Sequence, residues 1–362
     1  MMSIKQIVLL GAGASKSEGA PLQNELFKEF FGYYRQVLRE KTWTLPRKRE
    51  KLIINFFKNF WGIDIDNYQN RNVNFPTFEE CLGILDLAHL REESLRGCPQ
   101  TEIEEIRNAL IFLIAKVLDE KLRGKIKHHI KLVNRLKTEG TLKETAFISL
   151  NYDIIIDNVL TRLHPNFHLD YGIDFVNFDR VDDWERPNID KSISLFKIHG
   201  SLNWLFCPTC NQMELTPGIK GAISAFHEAK KCGQCRTPMK PVIVPPTFYK
   251  EMSNPFIRQI ILKTDQILRQ ASRILVCGYS FPDADIHIKY LLKRAERFKG
   301  ATPEICVINN HTNKTEQKKE EERQRFKRFF KDEEKVQYTN LSFEEFSEKG
   351  VTDARTPTAH TG

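Results

Sequence analysis

One stretch near the N-terminus, Gln6 to Ser15 (QIVLLGAGAS), restricts the fold of this chain more than any other. Ile7 to Leu10 make a short continuous apolar run, the pattern of a strand covered on both faces of a parallel sheet. Gly11-Ala12-Gly13-Ala14-Ser15 follows at once. Small residues there let the backbone turn tightly and let a diphosphate approach the main chain. A helix is expected to start near Pro21, since proline is tolerated in a first helical turn. Strand, glycine turn and helix start together make a dinucleotide-binding opening. The third glycine of G-x-G-x-x-G is absent, with Lys16 in its place, so the dehydrogenase fingerprint is incomplete. An ordinary strand-to-loop turn carries the same short signature, and the rest of the chain has to decide between them.

Apolar runs of strand length recur from Thr145 onward: the stretch from Thr145 through AFISLNYD, Ser192–Ile198, Pro241–Val244, Arg273–Cys277, Glu304–Asn309 and Val336–Leu341. Helical patterns separate them at IIIDNVLTRL, Asn254–Ser272, Asp285–Phe298 and Thr312–Lys335. This alternation predicts an α/β protein with an open, Rossmann-like, mostly parallel sheet. Ligands bind such sheets beyond the carboxyl ends of the strands. Here those ends are Gly11–Ser15, Asn151–Asp153, His199–Ser201, Gly278–Ser280 and Asn309–Asn310, all small or polar, and converging they would line one pocket.

Residues 22–143 read differently, as a large and almost wholly helical insertion. Leu22, Leu26, Phe30, Tyr33, Tyr34 and Val37 recur at helical spacing, and Phe56, Phe57, Phe60 and Trp61 form a second apolar group. Thr77-Phe-Glu-Glu80 fits a helix-start capping box. Ile103, Ile106, Leu110, Leu113 and Val117 repeat on one helical face, and a basic helix runs from Leu122 to Leu136. The net charge is +8, from 55 basic and 47 acidic residues. Much of the excess sits in Lys121, Arg123, Lys125, Lys127, Lys131, Arg135 and Lys137. Such a helix suits nucleic acid or an acidic partner, and suits a solvated face better; no aromatics are interleaved to stack on bases, so contact with nucleic acid stays open.

No apolar run approaches bilayer length and no charged-then-apolar signal opens the chain, which points to the cytoplasm and away from membranes. Eight cysteines there are not a disulfide framework. Cys277 and Cys306 lie in apolar runs where buried thiols are common. Cys207-Pro-Thr-Cys210 and Cys232-Gly-Gln-Cys235 are two C-x-x-C knuckles with 21 residues between them. Four thiolates at this spacing predict a structural Zn2+ site, a small module at 207–235, with no open position for chemistry. Asp283, Asp285 and His287 suggest a second metal, though Asp-Ala-Asp after Phe-Pro suits a helix cap better.

In their order these motifs resemble the sirtuin superfamily: GAGAS at 11–15 with GAP at 19–21, Asn151-Tyr-Asp153, His199-Gly200, the four cysteines, Gly278-Tyr279-Ser280 and Asn309. The versions SLNYD, KIHGSLNW and LVCGYSFPDADIHI resemble the bacterial NAD-consuming branch found in antiphage defence. The likeness covers most of the α/β part and leaves out residues 22–143. It implies that Gly11, Ala12, Gly13, Ala14 and Ser15 hold the diphosphate of NAD and that Asn151 and Asp153 sit near the nicotinamide and its ribose. It further implies that His199 is the base on a ribose hydroxyl and that Gly278, Tyr279, Ser280 and Asn309 line the adenosine end. Asn151 and His199 are thus the expected catalytic pair. A neutral imidazole suits proton abstraction, and an asparagine can orient water.

The activity so implied is NAD hydrolysis to nicotinamide and ADP-ribose, as an antiphage effector controlled by assembly: a homo-oligomer, with a HerA-like ring ATPase in trans. The aromatic helices at 22–61 and the basic helix at 121–137 are the expected contact surfaces. The first alternative is an NAD-dependent protein-lysine deacylase. Members that deacylate bind an acyl-lysine peptide as an added strand near V-x-F-G-E; the corresponding Val242-Ile-Val-Pro245-Pro246-Thr-Phe248 lacks the Gly-Glu, and its two prolines remove N–H donors. The second is a non-catalytic NAD or ADP-ribose sensor. The expected division is a core of 1–21, 144–206 and 236–345, the helical insertion 22–143, the zinc module 207–235 and a disordered tail at 346–362.

Overall fold

The structure, a computed structural model, describes residues 4–32, 47–65, 73–122, 124, 126–163, 168–176, 188, 191–216, 230–244, 254–283, 285–310 and 314–350. Tyr33, Tyr34, Val37, Arg123, Lys125, Pro245, Pro246 and Phe248 lie outside them, as does the chain after Gly350.

Seven strands build the main sheet: β1 (Gln6–Leu10), β2 (Thr145–Ser149), β3 (His168–Asp170), β4 (Ser192–Lys197), β8 (Arg273–Cys277), β9 (Glu304–Ile308) and β10 (Val336–Tyr338). Their order is β10-β9-β8-β1-β2-β4-β3, and every neighbouring pair is parallel. The apolar runs explain this directly, because a parallel strand is covered on both faces: Ile7 to Leu10 and Ala146 to Ile148 are all buried. The chain order turns outward in both directions from β1, so the switch point lies between β1 and β8. Register matters most for function. Leu10 is level with Ser149 and with Cys277, Ser149 with Lys197, and Cys277 with Ile308. The five carboxyl ends therefore stand in one row.

A three-stranded antiparallel sheet, β6-β5-β7, rises from the end of β4: β5 (Gly200–Cys207), β6 (Gln212–Leu215) and β7 (Lys240–Ile243). The expected Pro241–Val244 strand thus pairs here, beside the four cysteines, whose own small cluster includes Leu205 and Met239.

The helical block has its own core. Helices at 26–32 and Arg47–Asn55, a π-helical turn at Phe56–Phe60, and the helices Phe78–Leu90 and Gln100–Lys121 bury Phe27, Phe30, Phe31, Phe56, Phe57, Phe78, Leu110 and Leu113 together. Among the described aromatics expected to face a partner, Phe30, Phe56 and Phe57 belong to this core, the last two with no exposed surface. The capping box at Thr77 is formed in full: its side chain accepts from Glu80 N, and Glu80 accepts from Thr77 N. Tyr152, Leu202 and Ile243, from the rim of the main sheet and the small sheet, belong to the same apolar cluster, so the block sits against the rim.

Two sequence boundaries move. The helix His128–Thr138 buries Leu132, Val133 and Leu136 in the core of the main sheet, so the insertion ends before it rather than at 143. Its basic face is partly covered by the acidic helix Phe343–Lys349: Lys131 pairs with Glu348, and Arg135 stacks 4.3 Å from the Phe346 ring. Residues 346–349 are therefore helical and Phe346 is buried, correcting the start of the expected tail. No helix among the described residues is long and apolar enough to cross a membrane.

Candidate functional site

The level strand ends bring the loops after β1, β2, β4, β8 and β9 to one rim beneath the helical block. After β1 the chain enters a short helix, Ala12–Lys16, directly from Gly11, earlier than the expected start near Pro21. The loop is fitted to the one after β8. Gly278 has φ +64, and a Cβ there would lie 2.0 Å from Ala14 N. A Cβ on Gly11 would lie 2.6 Å from Gly278 O, and one on Gly13 2.8 Å from Gly278 Cα. Gly11 N donates to Cys277 O at 2.9 Å, Gly13 N to Gly278 O at 2.8 Å and Ala14 N to Gly11 O at 3.0 Å. Three of the loop amides expected to meet a diphosphate are thus committed to the main chain.

Asn151, Asp153 and Ser15 form one buried or half-buried unit. Ser15 Oγ donates to Asp153 Oδ2 at 2.6 Å, and Asp153 Oδ1 accepts from Ile155 N at 3.0 Å at the start of the helix Ile155–Leu163. Asn151 Nδ2 donates to Gly11 O at 2.9 Å and to Ser15 Oγ at 2.8 Å. Asp153 therefore holds the loop and the helix in place, while Asn151 keeps its carboxamide oxygen for other partners.

His199 occupies the turn from β4 into β5. Gly200 makes that turn possible: its φ is +80, and a Cβ would lie 2.0 Å from Val242 O. The imidazole is 3% exposed, with Nδ1 3.0 Å from the Leu150 carbonyl, an arrangement in which Nδ1–H donates and Nε2 keeps its lone pair. Burial pushes His199 down to about 4, against the Leu150 hydrogen bond. Beneath it, Lys197 has no exposed surface; its Nζ lies 3.1 Å from Asp157 Oδ2 and also donates to Asp153 O, while Tyr171 donates to Asp157 Oδ1 at 2.7 Å.

The remaining expected residues part company. Tyr279 is buried, and its hydroxyl donates to Asp285 Oδ2 at 2.6 Å. Ser280 is exposed, with its carbonyl taken by Arg325 at 3.1 Å. Asn309 is buried and gives its amide to Glu322 at 2.7 Å. Asp285 makes no side-chain cap on the helix Ile286–Lys299, contrary to expectation, because the Tyr279 hydroxyl takes its carboxylate. His287 does not join a metal cluster; it meets His199, Nε2 to Nε2, at 2.7 Å.

Glu79, in the first turn of Phe78–Leu90, carries no sequence signal that would single it out. It accepts from Gln23, and burial, with Asp285 and Glu80 nearby, pushes it up to about 8 despite that hydrogen bond. A carboxyl raised in the folded state loses stability as pH climbs from its ordinary value near 4.5 to about 8. Glu79→Gln keeps an acceptor for Gln23 without the charge. Its Tm is expected to match the native chain near pH 5 and to exceed it by roughly 3–5 °C at pH 8.5, read by thermal melts. An equal Tm at both pH values would show that Glu79 ionises freely.

The four cysteines do come together. Their sulfurs lie within 4.8 Å of one another, with Cys207 to Cys235 at 3.4 Å and Cys210 to Cys232 at 3.8 Å. A tetrahedral ion with Zn–S bonds of ~2.3 Å needs sulfurs about 3.8 Å apart, so the set fits. The two knuckles share one backbone design: Asn211 N donates to Cys207 O and Arg236 N to Cys232 O, with φ +53 and +62 at the donors. Among the described residues this is the one group of metal-ligand type.

Residues 145–334 match the SIR2-like domain family. No curated protein matches the chain. Among solved structures the chain is similar to Sir2Tm bound to a propionylated peptide, with 15% identity and a TM-score of 0.44 over 95% of this chain and 91% of that one. A Sir2 with a p53 peptide and NAD+ gives the same four figures: 15%, 0.44, 95% and 91%.

Proposed function

The chain belongs to the SIR2-like family, and from that membership we propose that it hydrolyses NAD to nicotinamide and ADP-ribose. The observation carrying this reading is the single row of strand ends, which sets Asn151 and His199 beside the glycine loop at the switch point of the sheet. In the reaction the nicotinamide–ribose C–N bond breaks with its electron pair leaving on nicotinamide. Water adds to the ribose carbon, and its proton is lost. His199 takes that proton at Nε2, relayed through a ribose hydroxyl, its Nδ1–H being held by Leu150. Asn151 offers water its carboxamide oxygen, since its nitrogen is spent on Gly11 and Ser15.

Water rather than an acyl-lysine peptide is the acceptor in this reading, which is supported by the described end of the segment 242–248, where the main chain of residues 243 and 244 already has partners. Ile243 O accepts from Arg107 at 2.9 Å, Val244 N donates to His199 O at 2.9 Å and Val244 O accepts from Tyr152 at 3.4 Å. The test is to incubate NAD with the protein, with and without an acetyl-lysine peptide, and to separate the products. Free ADP-ribose independent of peptide is expected. Intact NAD without peptide, together with peptide-dependent release of nicotinamide, would overturn hydrolysis in favour of deacylation. Binding without any turnover would favour a sensor.

The antiphage role, the homo-oligomer and the HerA-like ring ATPase rest on the resemblance, and the same assay repeated with that ATPase present tests its control over turnover. Zn2+ is the ion proposed for Cys207, Cys210, Cys232 and Cys235, where it would tie the small sheet together. About one zinc per chain is expected by metal analysis under reducing conditions, and chelation is expected to lower Tm by roughly 10 °C. Less than stoichiometric zinc in active protein would remove it from the fold.

A further inference from the structure

His287 is the second residue of the helix Ile286–Lys299, reached from β8 through the loop that begins at Gly278. Its ring centre lies 5.0 Å from that of His199 with the planes at 56°, and the Nε2 atoms are 2.7 Å apart. Because His199 Nδ1 faces the Leu150 carbonyl, its proton sits on Nδ1 and the lone pair on Nε2. Two neutral imidazoles at this distance need one donor, so His287 carries its proton on Nε2 and gives it to His199. Both rings are neutral near pH 7, since burial pushes each of them down to about 4.

The lone pair a base must offer is therefore taken by the His287 N–H. A ribose hydroxyl and the His287 N–H compete for one atom. Resting on the reading of His199 as the base, we propose that His287 is a positioning residue, a latch that holds His199 in its Nδ1–H form with Nε2 pointed into the cleft and that a nicotinamide nucleotide must displace on binding. The latch costs the enzyme affinity and keeps the base oriented while it waits.

Full-length protein labelled with 15N-histidine, studied without nucleotide, tests the pair directly. In His287→Phe, which cannot donate, the His199 Nε2 resonance is expected to move toward that of a free lone pair; His287→Ala is the second variant should Phe not be accommodated. His287→Gln retains an N–H donor and is expected to leave the resonance near its native position. With NAD, the Phe and Ala variants are expected to bind about three- to tenfold more tightly and to show a KM lowered by the same factor, the effect of losing one competing hydrogen bond. The Gln variant is expected to stay near the native KM. A His199 signal unmoved by His287→Phe and His287→Ala overturns the latch, as does a KM that rises in Phe, Ala and Gln alike. Failure of the native protein to consume NAD overturns the hydrolase reading instead, and the resonance and NAD titration then decide the latch by themselves.

Discussion

Replacing His199 with alanine is expected to reduce NAD consumption by about 10²–10⁴-fold, the usual contribution of a positioned general base. The ring is held from behind by the Leu150 carbonyl at 3.0 Å, so the main chain after β2 chooses the tautomer that a base needs. Asn at 199 offers no basic nitrogen and is expected to fail as badly. The pH dependence follows from burial. A histidine lowered to about 4 stays neutral through the range where an exposed one would protonate. The acid limb of kcat/KM is therefore expected near pH 4 and not near 6.5, with activity lost as pH falls through it. Quantifying nicotinamide and ADP-ribose in His199→Ala against the native chain gives the answer. Turnover within tenfold of native, with Tm unchanged, would remove His199 from the chemistry.

The second large effect concerns stability. Lys197 ends β4 with no exposed surface, and Asp157 and the Asp153 carbonyl are its partners. Lys197→Met leaves Asp157 as a buried carboxylate with only the Tyr171 hydroxyl for company, a loss of about 3–5 kcal/mol. For a chain of this size the Tm is expected to fall by roughly 10 °C. Asp157→Asn alone leaves the ammonium unpaired and is expected to cost nearly as much. The pair Lys197→Met with Asp157→Asn removes both charges while keeping an acceptor for Tyr171. It is expected to recover most of the loss. Denaturant melts of the four proteins close the cycle, and simple addition of the two single losses would show that the charges do not act as a pair.

How much of this could be read beforehand depended on whether one segment carried its own signal. Arg273–Cys277 and the capping box at Thr77 were legible because a doubly covered strand is a solid apolar run and a capped helix start has a fixed spacing. The strand-end residues were legible for the same reason, since each follows such a run. The helix that carries Leu132, Val133 and Leu136 was legible by its charge, but charge on one face does not say which core covers the other, and these residues joined the sheet and not the insertion. His287 lay 88 residues from its partner, and only the order and register of the strands bring the two rings together. Glu79 looked like any first-turn acid; what makes it unusual is its burial, with Asp285 nearby. Asn309 showed the opposite failure, for its place at the end of β9 was foreseen while Glu322, which takes its amide, was not.

The contact between Gly11, Gly13 and Gly278 changes how mutagenesis of this rim has to be interpreted. Alanine at any of the three pushes a methyl into a neighbouring backbone before any nucleotide arrives, so lost turnover would report two loops wedged apart. Ala12, already a side-chain-bearing position in the same turn, is where enlargement probes the approach of a phosphate without prying that seam open.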